Sequence, residues 1–259
     1  MSPAAALDSA VARYSLALGD DALVLCQRLC EWATRAPAIE EDVALMNVAL
    51  DLLGQARSFL TYAAEREGLG RTEDDLAYLR DERDFSNVQL VEIENGDFAT
   101  TMARQLVFSA YQYQLYEALS SSADEQIAAI SEKAFKEVSY HRDHAARWVV
   151  RLGDGTQESH RRMAAGLETV WPFAGELFEP FEVGSELSGL TEMSIARDPA
   201  SLHDPWSAFV TPVLAEATLE IPATAWAPSG GRSGLHTEAF GYLLAELQHL
   251  HRSFPDAKW

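Results

Sequence analysis

With only two cysteines in 259 residues, the chain cannot be built on a disulfide framework, and its core must come from apolar burial alone. Cys26 and Cys30 stand one helical turn apart beside Leu23, Leu25 and Leu29. Without further Cys or a nearby His, that spacing predicts buried thiols rather than a metal or redox pair. Long charge-free apolar runs are missing, and Met1 to Gly19 has no basic stretch leading into one, so no membrane span or secretory leader is expected and the cytoplasm is the expected compartment. Basic residues are scarce: twenty Lys and Arg against forty Asp and Glu give a formal charge of −20. That balance repels nucleic-acid phosphates and anionic lipid surfaces, although a local arginine contact to an anion survives it. Ten prolines and fifteen glycines fall mostly between periodic segments, leaving no linker, and neither repeats nor low-complexity tracts occur. One domain, residues 1–259, is the expectation.

Motifs for common chemistries are absent too. There is no G-x-S-x-G elbow, no Walker loop, no dinucleotide fingerprint and no Cys/His zinc spacing. Gly230-Gly231-Arg232-Ser233-Gly234 lacks the strand-loop-helix context of a phosphate cradle, and a flexible turn or partner contact is expected there.

What is present is helical periodicity. A first helix is expected over Leu23–Ala36, with Gly19-Asp20-Asp21 as its turn and cap and Pro37 closing it. Glu40, Glu41 and Asp42 open a second helix whose stripe Val43, Met46, Leu50, Leu53, Phe59 and Leu60 runs to about Glu67. Arg71–Asp84 reads as a short helix that becomes irregular. Asn95-Gly96-Asp97 caps a third long helix to about Leu119, and a fourth over Glu125–Leu152 places Ile127, Ile130, Ala134, Val138, His141, Ala145 and Trp148 on a bundle seam. Beyond it, Gln157–Glu176 is expected to be helical with a kink at Pro172, Glu179–His203 to be mixed loop with one short helix, Asp204-Pro205 to cap a helix through about Leu219, and Thr237–Phe254 to form the last helix. Strand alternation is nowhere comparable. The expected fold is all-α: a ferritin-like four-helix bundle over about residues 20–152, with additional C-terminal helices over about 156–259.

Di-iron bundles of this type need one Glu from each of two helices and a Glu-x-x-His pair from each of the other two. The first helix, Leu23 to Cys30, has no acid, and the third has none between Phe98 and Tyr116. On the second, Asp51 is followed three residues later by Gly54 instead of His; on the fourth, Tyr140 occupies that place after Glu137, with His141 and His144 nearby. Two readings stay open. Asp51, Glu137 and His141 form a buried polar network, with no metal expected; or these residues and His144 make an atypical metal site on helices two and four, as in an autonomous metalloenzyme. The stripe Asn47, Asp51, Gln55, Ser58 is flanked by apolar residues on both sides, so part of its cover is expected from the fold or from another chain.

The chain also resembles the C-subunit family of bacterial ring-1,2-phenylacetyl-CoA epoxidases. The resemblance spans nearly its whole length and rests on Leu18-Gly19-Asp20-Asp21-Ala22-Leu23-Val24-Leu25, Leu50-Asp51-Leu52-Leu53-Gly54-Gln55-Ala56-Arg57, Arg80-Asp81-Glu82-Arg83-Asp84-Phe85-Ser86-Asn87, Asn95-Gly96-Asp97-Phe98-Ala99, Arg151-Leu152-Gly153-Asp154-Gly155-Thr156 and Gly234-Leu235-His236-Thr237-Glu238, in the family's order. It implies a structural, noncatalytic subunit of a phenylacetate-degrading monooxygenase, with no cofactor of its own. Its partners would be a homologous catalytic A subunit with a di-iron centre, a reductase supplying electrons from NADPH, and the other components of the complex. A homodimer is a further expectation for the chain alone. Asp51, Gly54, Glu137 and His141 match the family; His144 has no family role.

Overall fold

A computed structural model describes residues 3–180, 189–255 and 257. Every regular element among them is helical. The bundle consists of α1 (Pro3–Cys30), α2 (Ile39–Glu67), α4 (Phe98–Leu119) and α5 (Glu125–Gly153), with the short α3 (Glu73–Tyr78) between the second and third of these. α6 (Gln157–Val170), α7 (His203–Glu216) and α8 (Glu238–Ser253) follow. The long helices α1 and α2 pack along one another, as do α4 and α5, and α2 against α5 joins the two pairs. α6 and α7 cover α4 and α5, while α8 lies on α1 and α3. The fold is the ferritin-like four-helix bundle with additional C-terminal helices.

Local caps set the helix ends, Asp97 as expected. The Asp97 side chain accepts from the Thr100 N–H at 2.9 Å and starts α4, Asp124 accepts from the N–H groups of Gln126 and Ile127 and starts α5, and Gly68 ends α2 in the left-handed region at φ 70°. Pro172 converts the end of α6 into 3₁₀ turns.

Four expectations need correction. First, α1 begins at Pro3, not Leu23, so the bundle core starts well before residue 20. Val11, Tyr14, Leu18, Ala22, Leu25 and Leu29 keep one buried phase straight through Gly19-Asp20-Asp21. Gly19 is there for close approach: a Cβ would stand 2.9 Å from the Leu60 side chain of α2. Second, the apolar stripe chosen for α2 is partly the wrong face. Its core is Leu45, Val48, Leu52, Ala56, Phe59 and Ala63, whereas Val43 and Leu50 are 56% and 64% exposed. Third, Cys26 is buried but Cys30 is exposed. Fourth, Asp204 lies inside the first turn of α7 rather than capping it, and α7 stops at Glu216. Of the segment expected as mixed loop, residues 181–188 lie outside the described residues.

Candidate functional site

The residues singled out on α2 and α5 do meet, as three rungs across the seam between the helices. His144 Nε2 lies 2.9 Å from Glu41 Oε2, His141 Nε2 lies 3.0 Å from Asp51 Oδ2, and Gln55 Nε2 donates to Glu137 Oε2 at 3.0 Å. Glu137 also sits 3.5 Å from Lys133 Nζ, one turn before it. Asp51, Glu137 and His141 do not join in one buried network: Glu137 engages Gln55 and Lys133, while His141 engages Asp51. The rungs are unevenly covered. The His141 side chain is buried, but Asp51 opposite it is 37% exposed. Ile39, Val43 and Leu50, at helical spacing on one face of α2, form an exposed apolar margin of that helix, and Tyr140, next to His141 on α5, is half exposed.

Sequence reasoning passed over a second polar cluster, which is far better buried. Asp20 and Asp21, on α1, point different ways because consecutive helical positions are about 100° apart. Asp20 takes Arg80 in a two-pronged pair, one prong at 3.0 Å, and the Ser86 N–H at 2.9 Å. Asp21 takes Arg232 through both oxygens, at 3.0 and 2.7 Å, and the Val88 N–H at 2.9 Å. Arg232 comes from the glycine-rich segment and also donates to the Ala17 and Ser86 carbonyls. The expected flexible turn is thus an inserted clamp. Burial works against the Arg232 charge, but Asp21 outweighs it and holds the guanidinium firmly protonated.

The clamp continues into the loop between α3 and α4. Glu176 accepts from the Gln89 and Gly231 N–H groups, both at 2.7 Å, and burial pushes its carboxyl up to about 7. Glu92, fully buried, accepts from the Asn87 amide and the Thr237 N–H, each at 2.7 Å, and stands 2.6 Å from His236 Nδ1. Arg28 and Arg104 hold the Glu92 and Ile93 carbonyls. Arg28, Arg80, Arg104 and Arg232, all buried, therefore fasten this loop onto the bundle. Inside, Tyr14 of α1 and Tyr111 and Tyr116 of α4 are fully buried, and burial pushes the Tyr111 phenol up to about 12, leaving it neutral at physiological pH. The signal that could have found the cluster is the run of Asp20 and Asp21 within an unbroken apolar phase, because buried acids require basic partners.

A family model described as "Phenylacetic acid catabolic protein" matches residues 2–259. A protein of Escherichia coli (strain K12), named as the C subunit of 1,2-phenylacetyl-CoA epoxidase, is 49% identical over 246 residues, which cover 95% of this chain and 98% of that protein. The chain belongs to the phenylacetic acid catabolic protein family.

For a member of the phenylacetic acid catabolic protein family, the donor set of the bundle can be tested directly against a carboxylate-bridged di-iron centre. The residues do not fit. The buried acids of α1 are consumed by Arg80 and Arg232, and α4 presents phenols and amides where acids would be needed. On α2 and α5, Asp51 and Glu137 turn to different partners. Among the described residues, no three His, Cys, Asp or Glu side chains converge on one point. None of the described helices is long and apolar enough to cross a membrane.

Proposed function

We propose that the chain is the noncatalytic, structural subunit of a multicomponent phenylacetyl-CoA ring 1,2-epoxidase acting in the cytoplasm. In this reading it stabilises and positions a homologous di-iron A subunit, and a reductase delivers electrons from NADPH. One observation carries the proposal: in a bundle of the di-iron type, the acidic side chains that α1, α2 and α5 turn toward their neighbours are already engaged by arginine, histidine, glutamine or lysine of the same chain. Such acids cannot bridge two cations without breaking those pairs. The name of the Escherichia coli relative supports the assignment to an epoxidase. The exposed apolar margin of Ile39, Val43 and Leu50 on α2 supports a protein partner, since an exposed apolar patch marks an interaction surface.

Co-expression with the neighbouring catalytic subunit tests this. The two chains are expected to co-purify, turnover of phenylacetyl-CoA with NADPH and reductase is expected to require both, and iron is expected to follow the catalytic chain. Near-stoichiometric iron bound tightly to this chain alone would sink the proposal and favour the autonomous metalloenzyme built on Asp51, Glu137, His141 and His144.

A further inference from the structure

One face of α5 carries a groove of about 400 Å³, within the range of small-molecule sites, lined by Tyr140, His144, Arg147, Trp148 and Arg151 with Glu41 of α2 across it. Its charges sort cleanly. Glu41 is occupied by His144 at 2.9 Å. Asp143, also on the groove wall, is occupied by Arg142 at 3.1 Å, and that arginine is itself clamped between the rings of Tyr113 and Phe209 at 3.7 and 4.3 Å. Among the described residues, Arg147 and Arg151 have no ion-pair partner. Two uncompensated guanidiniums one turn apart are conspicuous on a chain of net charge −20.

The aromatic side of the groove is equally specific. Trp148 is fixed edge-on against Phe98, ring centres 5.0 Å apart, and carries Arg151 over its face at 4.8 Å. Tyr140 is tilted by 30° to the His144 ring, with ring centres 5.7 Å apart, and is half exposed. Arginine forks match phosphate oxygens in two-pronged fashion, and flat side chains beside them accept a nucleobase by stacking.

We propose that this groove binds a purine nucleotide through its phosphate and base, and that its occupant is the phosphorylated nucleotide end of a coenzyme A thioester. This rests on the epoxidase reading given above and deepens it, by giving the structural subunit a hand in holding the substrate's handle. The −20 charge opposes long-range capture, so binding depends on the local arginines.

Isothermal titration of the full chain with coenzyme A, dephospho-coenzyme A, adenosine and inorganic phosphate tests the proposal, repeated on R147Q/R151Q. Saturable binding of coenzyme A with a Kd below about 1 mM is expected, weaker for dephospho-coenzyme A and weakest for adenosine and phosphate. The double variant is expected to lose at least about tenfold in affinity with an unchanged melting temperature. Remote R161Q is expected to bind as the parent does. Absence of saturable binding, or equal binding by the double variant, overturns the proposal. So does displacement of coenzyme A by a poly-glutamate peptide that binds as tightly, which would make the groove a contact for an acidic protein segment. In the reconstituted epoxidase, R147Q/R151Q should raise KM for phenylacetyl-CoA and leave kcat unchanged. A complex that turns over with an unaltered KM sinks this inference alone, whereas a chain that neither assembles nor supports turnover sinks the epoxidase reading and leaves the titration to decide the groove.

Discussion

Asp21 and Asp51 lie on neighbouring helices of one bundle and each faces a basic side chain, yet their surroundings are opposite. The Asp21 side chain is 4% exposed and its partner Arg232 8%. Asp51 is 37% exposed, although its partner His141 is buried. Around Asp21, the charges are spoken for: it takes two guanidinium prongs and a backbone N–H, and beyond them Arg80, Glu176 and Glu92 each have partners of their own. Around Asp51, one rung opens to water. The lesson is that this chain has two polar systems of different purpose. The clamp closes the fold on itself, while the seam on α2 and α5 stops short of closure and leaves a face for something else.

The comparison breaks first at the clamp. Arg232→Gln leaves the Asp21 carboxylate desolvated without its counter-charge, a change that typically costs about 3–5 kcal/mol. Chemical denaturation should show a large fall in midpoint with an unchanged slope, and a fall of less than about 1 kcal/mol would mean that the clamp is wetter than its geometry.

The clamp should also give the chain its pH dependence. An unfolded glutamate releases its proton near 4.5, whereas burial holds the Glu176 proton to about 7. Between those values the folded chain binds more protons than the unfolded one, so stability falls as pH rises from about 4.5 to 7, by up to about 3 kcal/mol. His236 adds to the same trend. Burial opposes its charge, but Glu92 and the Phe85 carbonyl favour it and raise its titration, so its contribution is full below about 6.5 and lost as pH rises through the folded value. Asp75 and Glu158, held low by Thr72 and by Arg161 and Arg162, act only in more acidic solution. Melting temperatures are therefore expected to decline from about pH 5.5 to 8, and Glu176→Gln should flatten the lower part of that decline. A rising profile would refute the assignment.

How much of this was legible beforehand follows the same division. α2, α4 and α5 are readable because the acids of Glu40–Asp42, the Asp97 cap and the apolar seam from Ile127 to Trp148 are local signals of a helix. α1 was misread because Gly19-Asp20-Asp21 has turn chemistry, and only its tertiary partners reveal why it stays helical: Gly19 lets α1 approach Leu60, and Asp20 and Asp21 reach Arg80 and Arg232 across separations of 60 and 211 residues. Nothing local encodes such distances. The seam residues Asp51, Glu137 and His141 could be picked out by spacing on their own helices, but which pairs with which depends on the relative rotation of α2 and α5. Hence the members were found and the pairing was not.

On the seam the expected effects are small. Asp51→Asn keeps a hydrogen-bonding group opposite His141 and removes a charge that water already reaches, so stability should change by no more than about 1 kcal/mol in urea denaturation. A loss near that of Arg232→Gln would show that the rung is sealed in solution and erase the distinction.

The sharpest test reverses sign. Gly231 and Gly54 are both glycines, one in the clamp and one on the seam. At Gly231 a Cβ would run into the Asn87 carbonyl oxygen and stand 2.9 Å from Glu176 Oε1, so the absence of a side chain is required by the fold itself. At Gly54, inside α2, a Cβ would meet nothing closer than Lys133 Nζ at 3.8 Å. Glycine in a helix interior costs roughly 0.5–1 kcal/mol relative to alanine, so Gly54→Ala should raise the stability of the isolated chain by that amount. If the seam is the face that receives the catalytic subunit, the same substitution should weaken co-purification with it, because the added methyl group stands on that seam, beside Lys133. A stabilised chain that still assembles normally would place the partner elsewhere and leave the glycine of α2 unexplained by assembly.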